Sequence, residues 1–187
     1  KQELLEHFVI EGSRAFGVAY VYANLLGNES GRAIFDGGGL IADHGKITAE
    51  GRRFSFEEVT LAVKSVDIER NRLHQARTVS RKVDVEGRAE IDLFFDWPRV
   101  ERRDGHQAVA PMSKEEEFTR AMALAYFDYM RKSWSNGFVV SLSGGADSAA
   151  VSSFAKIMLD LATAELGVEA VRKRLAYLDL PEDPSTW

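Results

Sequence analysis

The chain has 187 residues, 45% of them apolar and 28% charged, the balance of an ordinary globular protein and not of a disordered, collagen-like or low-complexity one. Its 24 Lys and Arg against 29 Asp and Glu leave a net charge of −5, which sets nucleic acid aside as a partner, because non-specific binding there rests on neutralising phosphates with cations. With no cysteine in the chain, disulfide scaffolds, thiolate metal sites and a cysteine nucleophile are excluded within these residues.

The longest uncharged windows, Ala15 to Asn28 and Ser133 to Ala146, are 14 residues each, short of the roughly 20 apolar residues that cross a bilayer. The opening KQELLEHFVI lacks the features of a signal peptide. A cytoplasmic protein without a membrane partner is expected. The chain opens on Lys1 and stops at Trp187 after a loop-like PEDPSTW, so a segment of a longer protein is expected.

The first 70 residues read as sheet. Phe16 to Leu26 is rich in Val, Tyr and Ala. Arg32 to Phe35 leads through a glycine triplet to Leu40 to Ala42, and Asp43-His44-Gly45 marks a turn before Lys46 to Ala49. Val59, Leu61 and Val63 alternate, then Val66 and Ile68 resume in the opposite phase, which predicts a kinked strand. Ser55 and Glu58 match a capping box, but the alternation behind them argues against a helix. A charged helix follows over Ile68 to Arg77, then an extended hairpin or arm through Val83, Val85, Glu86-Gly87 and Ile91 to Trp97, then a loop from Pro98 to Pro111.

The last third turns to helical periodicity. Ser113 and Glu116 form a capping box, and Glu115, Glu116 and Glu117 complement the helix dipole. Phe118, Met122, Ala125 and Tyr129 are the predicted inner face, with Asn136-Gly137 as the stop. Phe138 to Leu142 reads as a short apolar strand. A second helix begins near Asp147, with Val151, Phe154, Met158 and Leu161 as its inner stripe, and stops at Gly167; a third runs over Val168 to Leu178.

The sharpest chemical signal is Ser143-Gly144-Gly145-Ala146-Asp147-Ser148, placed where a strand ends and a helix begins. The first turn of a helix presents unpaired N–H groups and partial positive charge, which suits phosphate. Two glycines let backbone approach a ligand closely, and Ser143 and Ser148 add hydroxyl donors. Asp147 repels phosphate unless a cation lies between them; Mg²⁺ would reconcile the two. No lysine follows the glycines, so this is not a P-loop. A plain glycine-rich turn with an aspartate cap is the simpler alternative. Gly37-Gly38-Gly39-Leu40-Ile41-Ala42 matches a relaxed dinucleotide fingerprint but leads into a strand, so it reads as a turn or bulge. His7, His44, His74 and His106 lack ligand spacing. The Asn28-Glu29-Ser30 sequon carries no weight without secretion, and Phe94 to Trp97 reads as packing before partner surface.

SLSGGADSAAV resembles the pyrophosphate-binding loop of the N-type ATP pyrophosphatases. Upstream, Asn24-Leu25-Leu26-Gly27 and Ile34-Phe35-Asp36-Gly37-Gly38 resemble the late strands of a nitrilase-type glutaminase domain. The two together, over about Lys1 to Asp183, resemble the glutamine-dependent NAD synthetase family. That resemblance implies an α/β protein in which the C-terminal strands of a nitrilase-like αββα domain (1–72) and an inter-domain connection with an extended arm (73–112) precede the start of a Rossmann-like, adenine nucleotide alpha hydrolase-like ATP pyrophosphatase domain (113–187). It further implies a ligase that uses ATP, Mg²⁺ and glutamine-derived ammonia to convert deamido-NAD to NAD through an adenylated intermediate, as a homo-oligomer. Ser141, Leu142, Ser143, Gly144, Gly145, Ala146, Asp147 and Ser148 would hold the ATP pyrophosphate, with Asp147 on Mg²⁺ and Lys1 near glutamine. The family's Glu-Lys-Cys triad precedes the segments matched here, so no catalytic residue falls in this chain and the segment alone is expected to be inactive. Ser141 stands where glycine is more usual, and Ala146 where a larger apolar residue often sits. Another ATP pyrophosphatase with a different acceptor, and a non-catalytic oligomerisation module, are the competing readings.

Overall fold

The computed structural model describes residues 2–78, 91, 94, 96 and 109–187. Their order is α1 (Gln2–Phe16), β1 (Tyr20–Ala23), β2 (Leu26–Glu29), β3 (Ala33–Asp36), β4 (Gly39–Asp43), β5 (Lys46–Glu50), α2 (Ile68–Thr78), α3 (Lys114–Ser133), α4 (Ala146–Leu166), α5 (Val168–Arg174) and a 3-10 turn at Pro184–Thr186. The architecture is mixed α/β, as expected. It divides into two compact units interleaved in sequence: Lys1–Tyr22, Leu40–Glu50 and Ala62–Gln107 form one, and Ala23–Gly39, Gly51–Leu61 and Ala108–Trp187 the other.

In the first unit the expectation of sheet from the start is corrected. Residues 2–16 are helical because Leu5, Val9 and Ser13 recur at four-residue spacing, and that face meets Leu40, Ala42 and Ile47. Buried Ser13 is satisfied on both sides: its Oγ donates to Val18 O at 2.9 Å and accepts the Gly45 N–H at 3.3 Å. The sheet has the order β1-β4-β5, with β4 and β5 antiparallel and a bulge between Ile41 and Ala42. His44 and Gly45 close that hairpin with φ of 49° and 72°, the pair of positive values a type I′ turn requires. The charged helix forms as α2, and its His74 meets His44 edge to face at 5.6 Å.

In the second unit β2 and β3 form an antiparallel hairpin in the register Leu26↔Asp36 to Glu29↔Ala33. The core joins Leu124, Phe127 and Met130 of α3 to Met158 and Ala162 of α4, to Val171 and Leu175 around α5, and to Phe54 and Phe56. Phe56 meets Phe127 edge-on at 5.3 Å. Asp128 ties the hairpin to α3: its Oδ2 accepts the Asn28 N–H at 2.9 Å, while Arg131 and Lys132 both pair with it at 3.0 Å. A Cβ on Gly27, whose φ is +95°, would lie 2.1 Å from that oxygen, so glycine is required there on two counts.

Several expected elements differ. The buried side of α3 is Ala123, Leu124, Phe127, Asp128 and Met130, while Phe118 and Tyr129 of the predicted stripe are exposed. Both sides of this helix are apolar, so periodicity alone could not choose between them. α3 stops at Ser133, three residues before Asn136, because Trp134 adopts the left-handed conformation and its N–H returns to Met130 O. On α4, Met158 is buried, Phe154 and Leu161 are half-buried and Val151 is exposed. α5 ends at Arg174, four residues short of Leu178, where the Tyr177 hydroxyl donates to Met130 O at 2.7 Å and holds the following chain against α3. Residues 59–67 and Phe138 to Leu142 are extended in pattern but form no strand. Alternation places side chains but does not supply a ladder, and neither segment pairs with a strand among the described residues. The glycine triplet passes into β4 and opens no helix. Phe94 is fully exposed, whereas Phe95, Trp97, the proposed arm at Val83 to Gly87 and residues 98–108 of the loop expected from Pro98 to Pro111 lie outside the described residues, as does Lys1.

Candidate phosphate-binding site

The bend between Leu142 and Ala146 is positioned by the two long helices of the second unit. α3 starts where expected, with Ser113 Oγ accepting the Glu116 N–H at 3.1 Å. Its Tyr126 ring lies 5.0 Å from Phe138, upstream of the bend, and 6.3 Å from Phe154, two turns into α4. Phe154 in turn meets Phe118 at 5.8 Å. Both arms of the bend are thus anchored on one helix face. No local signal in the sequence singles out Tyr126 as that anchor, since its partners are 12 and 28 positions away.

At the bend itself Gly144 has φ +80°, and Gly145 is the extended N-cap residue of α4 with no side-chain cap on the first turn. The left-handed conformation of Gly144 is the reason for glycine there, because a Cβ would meet nothing within 4 Å. The space beside Gly144 is therefore open, while a Cβ on Gly145 would lie 3.5 Å from Ser143 Oγ, at ordinary contact distance. The first amides of α4 lack intrahelical acceptors by the geometry of any helix start, and no side chain among the described residues caps them. Ser143 Oγ and Ser148 Oγ lie 3.3 Å apart, and Ser148 Oγ donates to Gly145 O at 3.1 Å. The structure thus brings Ser143, Gly144, Gly145, Ala146, Asp147 and Ser148 around one opening, with Ser141 and Leu142 exposed on its approach.

Asp147 lies exposed in the first turn of α4, and no ion pair or hydrogen bond engages its carboxylate among the described residues. No group of three or more His, Cys, Asp or Glu that could hold a metal occurs among those residues. A single open carboxylate beside amide and hydroxyl donors suits Mg²⁺, which is commonly held by one or two carboxylates with substrate phosphates and water completing its shell. It does not suit a metal that needs an all-protein cage.

No protein-family model matches the chain. Its sequence is 32% identical to the glutamine-dependent NAD(+) synthetase of Saccharomyces cerevisiae over 180 residues, covering 88% of this chain and 25% of the yeast protein. Over 147 residues it is 32% identical to the Homo sapiens enzyme of the same name, covering 72% of this chain and 20% of that protein. The crystal structure of a glutamine-dependent NAD(+) synthetase from Cytophaga hutchinsonii matches with a TM-score of 0.64 and 34% identity, across 94% of this chain and 23% of that one. The chain is a relative of the glutamine-dependent NAD(+) synthetases. It spans a quarter or less of the length of the NAD(+) synthetases it matches.

Proposed function

We propose that the chain is the stretch of a glutamine-dependent NAD(+) synthetase that leads from a nitrilase-type glutaminase domain (1–72) through a connection (73–112) into an ATP pyrophosphatase domain (113–187), and that residues 141–148 grip the pyrophosphate of ATP. The observation that carries this reading is the bend at Gly144: an uncapped helix start, open space beside Gly144 and two hydroxyls 3.3 Å apart meet there.

In the whole protein the reaction is the ATP-driven amidation of deamido-NAD to NAD, with glutamine as the ammonia source. A carboxylate is a poor acyl donor until its oxygen is turned into a good leaving group. Transfer of the AMP moiety to that oxygen expels pyrophosphate, and the loop's part is to hold the departing anion. The first-turn amides of α4 donate to its oxygens without reorganisation, the Ser143 hydroxyl adds a donor, and Ser148 adds another by rotating its hydroxyl away from Gly145 O. Gly144 and Gly145 keep side-chain atoms out of the way. Asp147 would hold Mg²⁺, which when bound supplies charge that offsets that of the pyrophosphate. Lys1 is assigned to the glutamine end. The protein is assigned to the cytoplasm as a homo-oligomer.

Calorimetric titration of the chain with ATP, with and without Mg²⁺, tests the loop. ATP is expected to bind only with Mg²⁺ present, inorganic pyrophosphate to compete with it, and Asp147→Ala to weaken it at least tenfold. Equal affinity in wild type and Asp147→Ala would sink the assignment.

A further inference from the structure

A cavity of about 960 Å³ opens between the C-terminal ends of α3 and α5, within the second unit, and shares no residue with the loop at 141–148. Its lining includes Arg131, Lys132, Trp134, Lys173, Arg174 and Tyr177, against Glu58 as the facing carboxylate. The volume is that of a pocket for a ligand of nucleotide size.

Three independent features point to an occupant. Trp134 holds φ 57° and ψ 31° as the C-cap of α3, a conformation that glycine or asparagine fills without strain and a bulky aromatic does not. The indole is 70% exposed and packs on one side against the Tyr177 ring at 5.1 Å. A costly backbone position is thus given to a side chain that leaves most of its ring uncovered. Tyr177 is itself fixed, its hydroxyl donating to Met130 O at 2.7 Å and Ser135 O at 3.3 Å. Next, Arg131 in the cleft wall is fixed by Asp128 at 3.0 Å and faces Glu58 at 4.0 Å, a held guanidinium beside the indole. Finally, Arg174 is paired with Glu57 at 2.9 Å and Lys132 with Asp128 at 3.0 Å, whereas exposed Lys173 has no ion-pair partner among the described residues.

We propose that this cleft binds a planar aromatic anion of nucleotide size, its ring stacked on Trp134 and its acidic group held by Lys173 and Arg131. Flat aromatic surface and a fixed guanidinium are the usual means of holding a ring and an oxyanion together.

The test is calorimetric titration of the chain with AMP, adenosine and ribose 5-phosphate. AMP is expected to bind, with adenosine and ribose 5-phosphate each at least tenfold weaker. Lys173→Glu is expected to weaken AMP at least tenfold. Trp134→Gly is expected to do the same while leaving the thermal midpoint unchanged or raised, because glycine relieves the left-handed strain; this separates loss of a ligand contact from loss of fold. Gly144→Val, which distorts the other loop, is expected to leave AMP affinity intact. Absence of AMP binding, AMP affinity unmoved by Lys173→Glu and Trp134→Gly, or AMP binding lost in Gly144→Val would each overturn the proposal. Loss of Mg-dependent ATP binding in Asp147→Ala tests the loop alone, so the two assignments fail separately.

Discussion

Asp36 accepts from Asn24 Nδ2 at 2.8 Å and from Arg53 Nε at 2.9 Å, and Arg53 reaches on to Glu117 in the first turn of α3. Burial pushes the Asp36 carboxyl up, but the bonds from Asn24 and Arg53, the Arg53 charge and the Gly38 amide outweigh it and leave it below its ordinary value. A carboxylate depressed by folding contributes stability above its unfolded pKa, and that contribution is lost as pH falls through the lower folded value. Urea unfolding midpoints are therefore expected to drop as pH falls below about 4, with a shallower drop in Asp36→Asn; an identical acid profile in the variant would exclude Asp36 as the source. Asp36 appears in the sequence only as part of a glycine-rich motif. Its partners lie 12 and 17 positions away, so its role as a hub was not legible there. The loop was legible for the opposite reason: Ser143 to Ser148 are contiguous, and the conformation of Gly144 is a local matter. The cleft at Trp134 and Lys173 was not, because its walls come from two helices about 40 residues apart.

Helix boundaries with side-chain chemistry behind them were readable. Ser113 caps α3 and Gly167 ends α4, both as expected. Replacing Ser113 by Ala removes the acceptor for the Glu116 N–H and is expected to cost about 1 kcal/mol, read as a lower midpoint in thermal or urea denaturation. Ser113→Asp, which keeps an acceptor, is expected to restore most of it. The elements that failed did so where tertiary structure decides. α1 carries Leu5, Val9 and Ser13 on one face, a helical signal obscured by the Val-Ile pair and Gly12 within it. Val59, Leu61 and Val63 alternate as a strand would, yet all three are exposed, since alternation without a neighbour has nothing to pair with.

At the scale of the whole molecule, each compact unit is assembled from three separate lengths of chain. Such interleaving rests on contacts between segments far apart in sequence, which no local pattern encodes. No helix among the described residues is long and apolar enough to cross a membrane. The approach to the loop has a further consequence. Phe138 to Leu142, apolar and β-branched in sequence, forms no helix or strand and pairs with no strand of the described residues, with Val139 fully exposed and Leu142 largely so. Bare backbone flanked by β-branched side chains is a template for stacking one molecule on another. The isolated polypeptide is expected to self-associate as its concentration rises in light scattering, and a lysine gatekeeper at that exposed valine, Val139→Lys, to keep it dispersed.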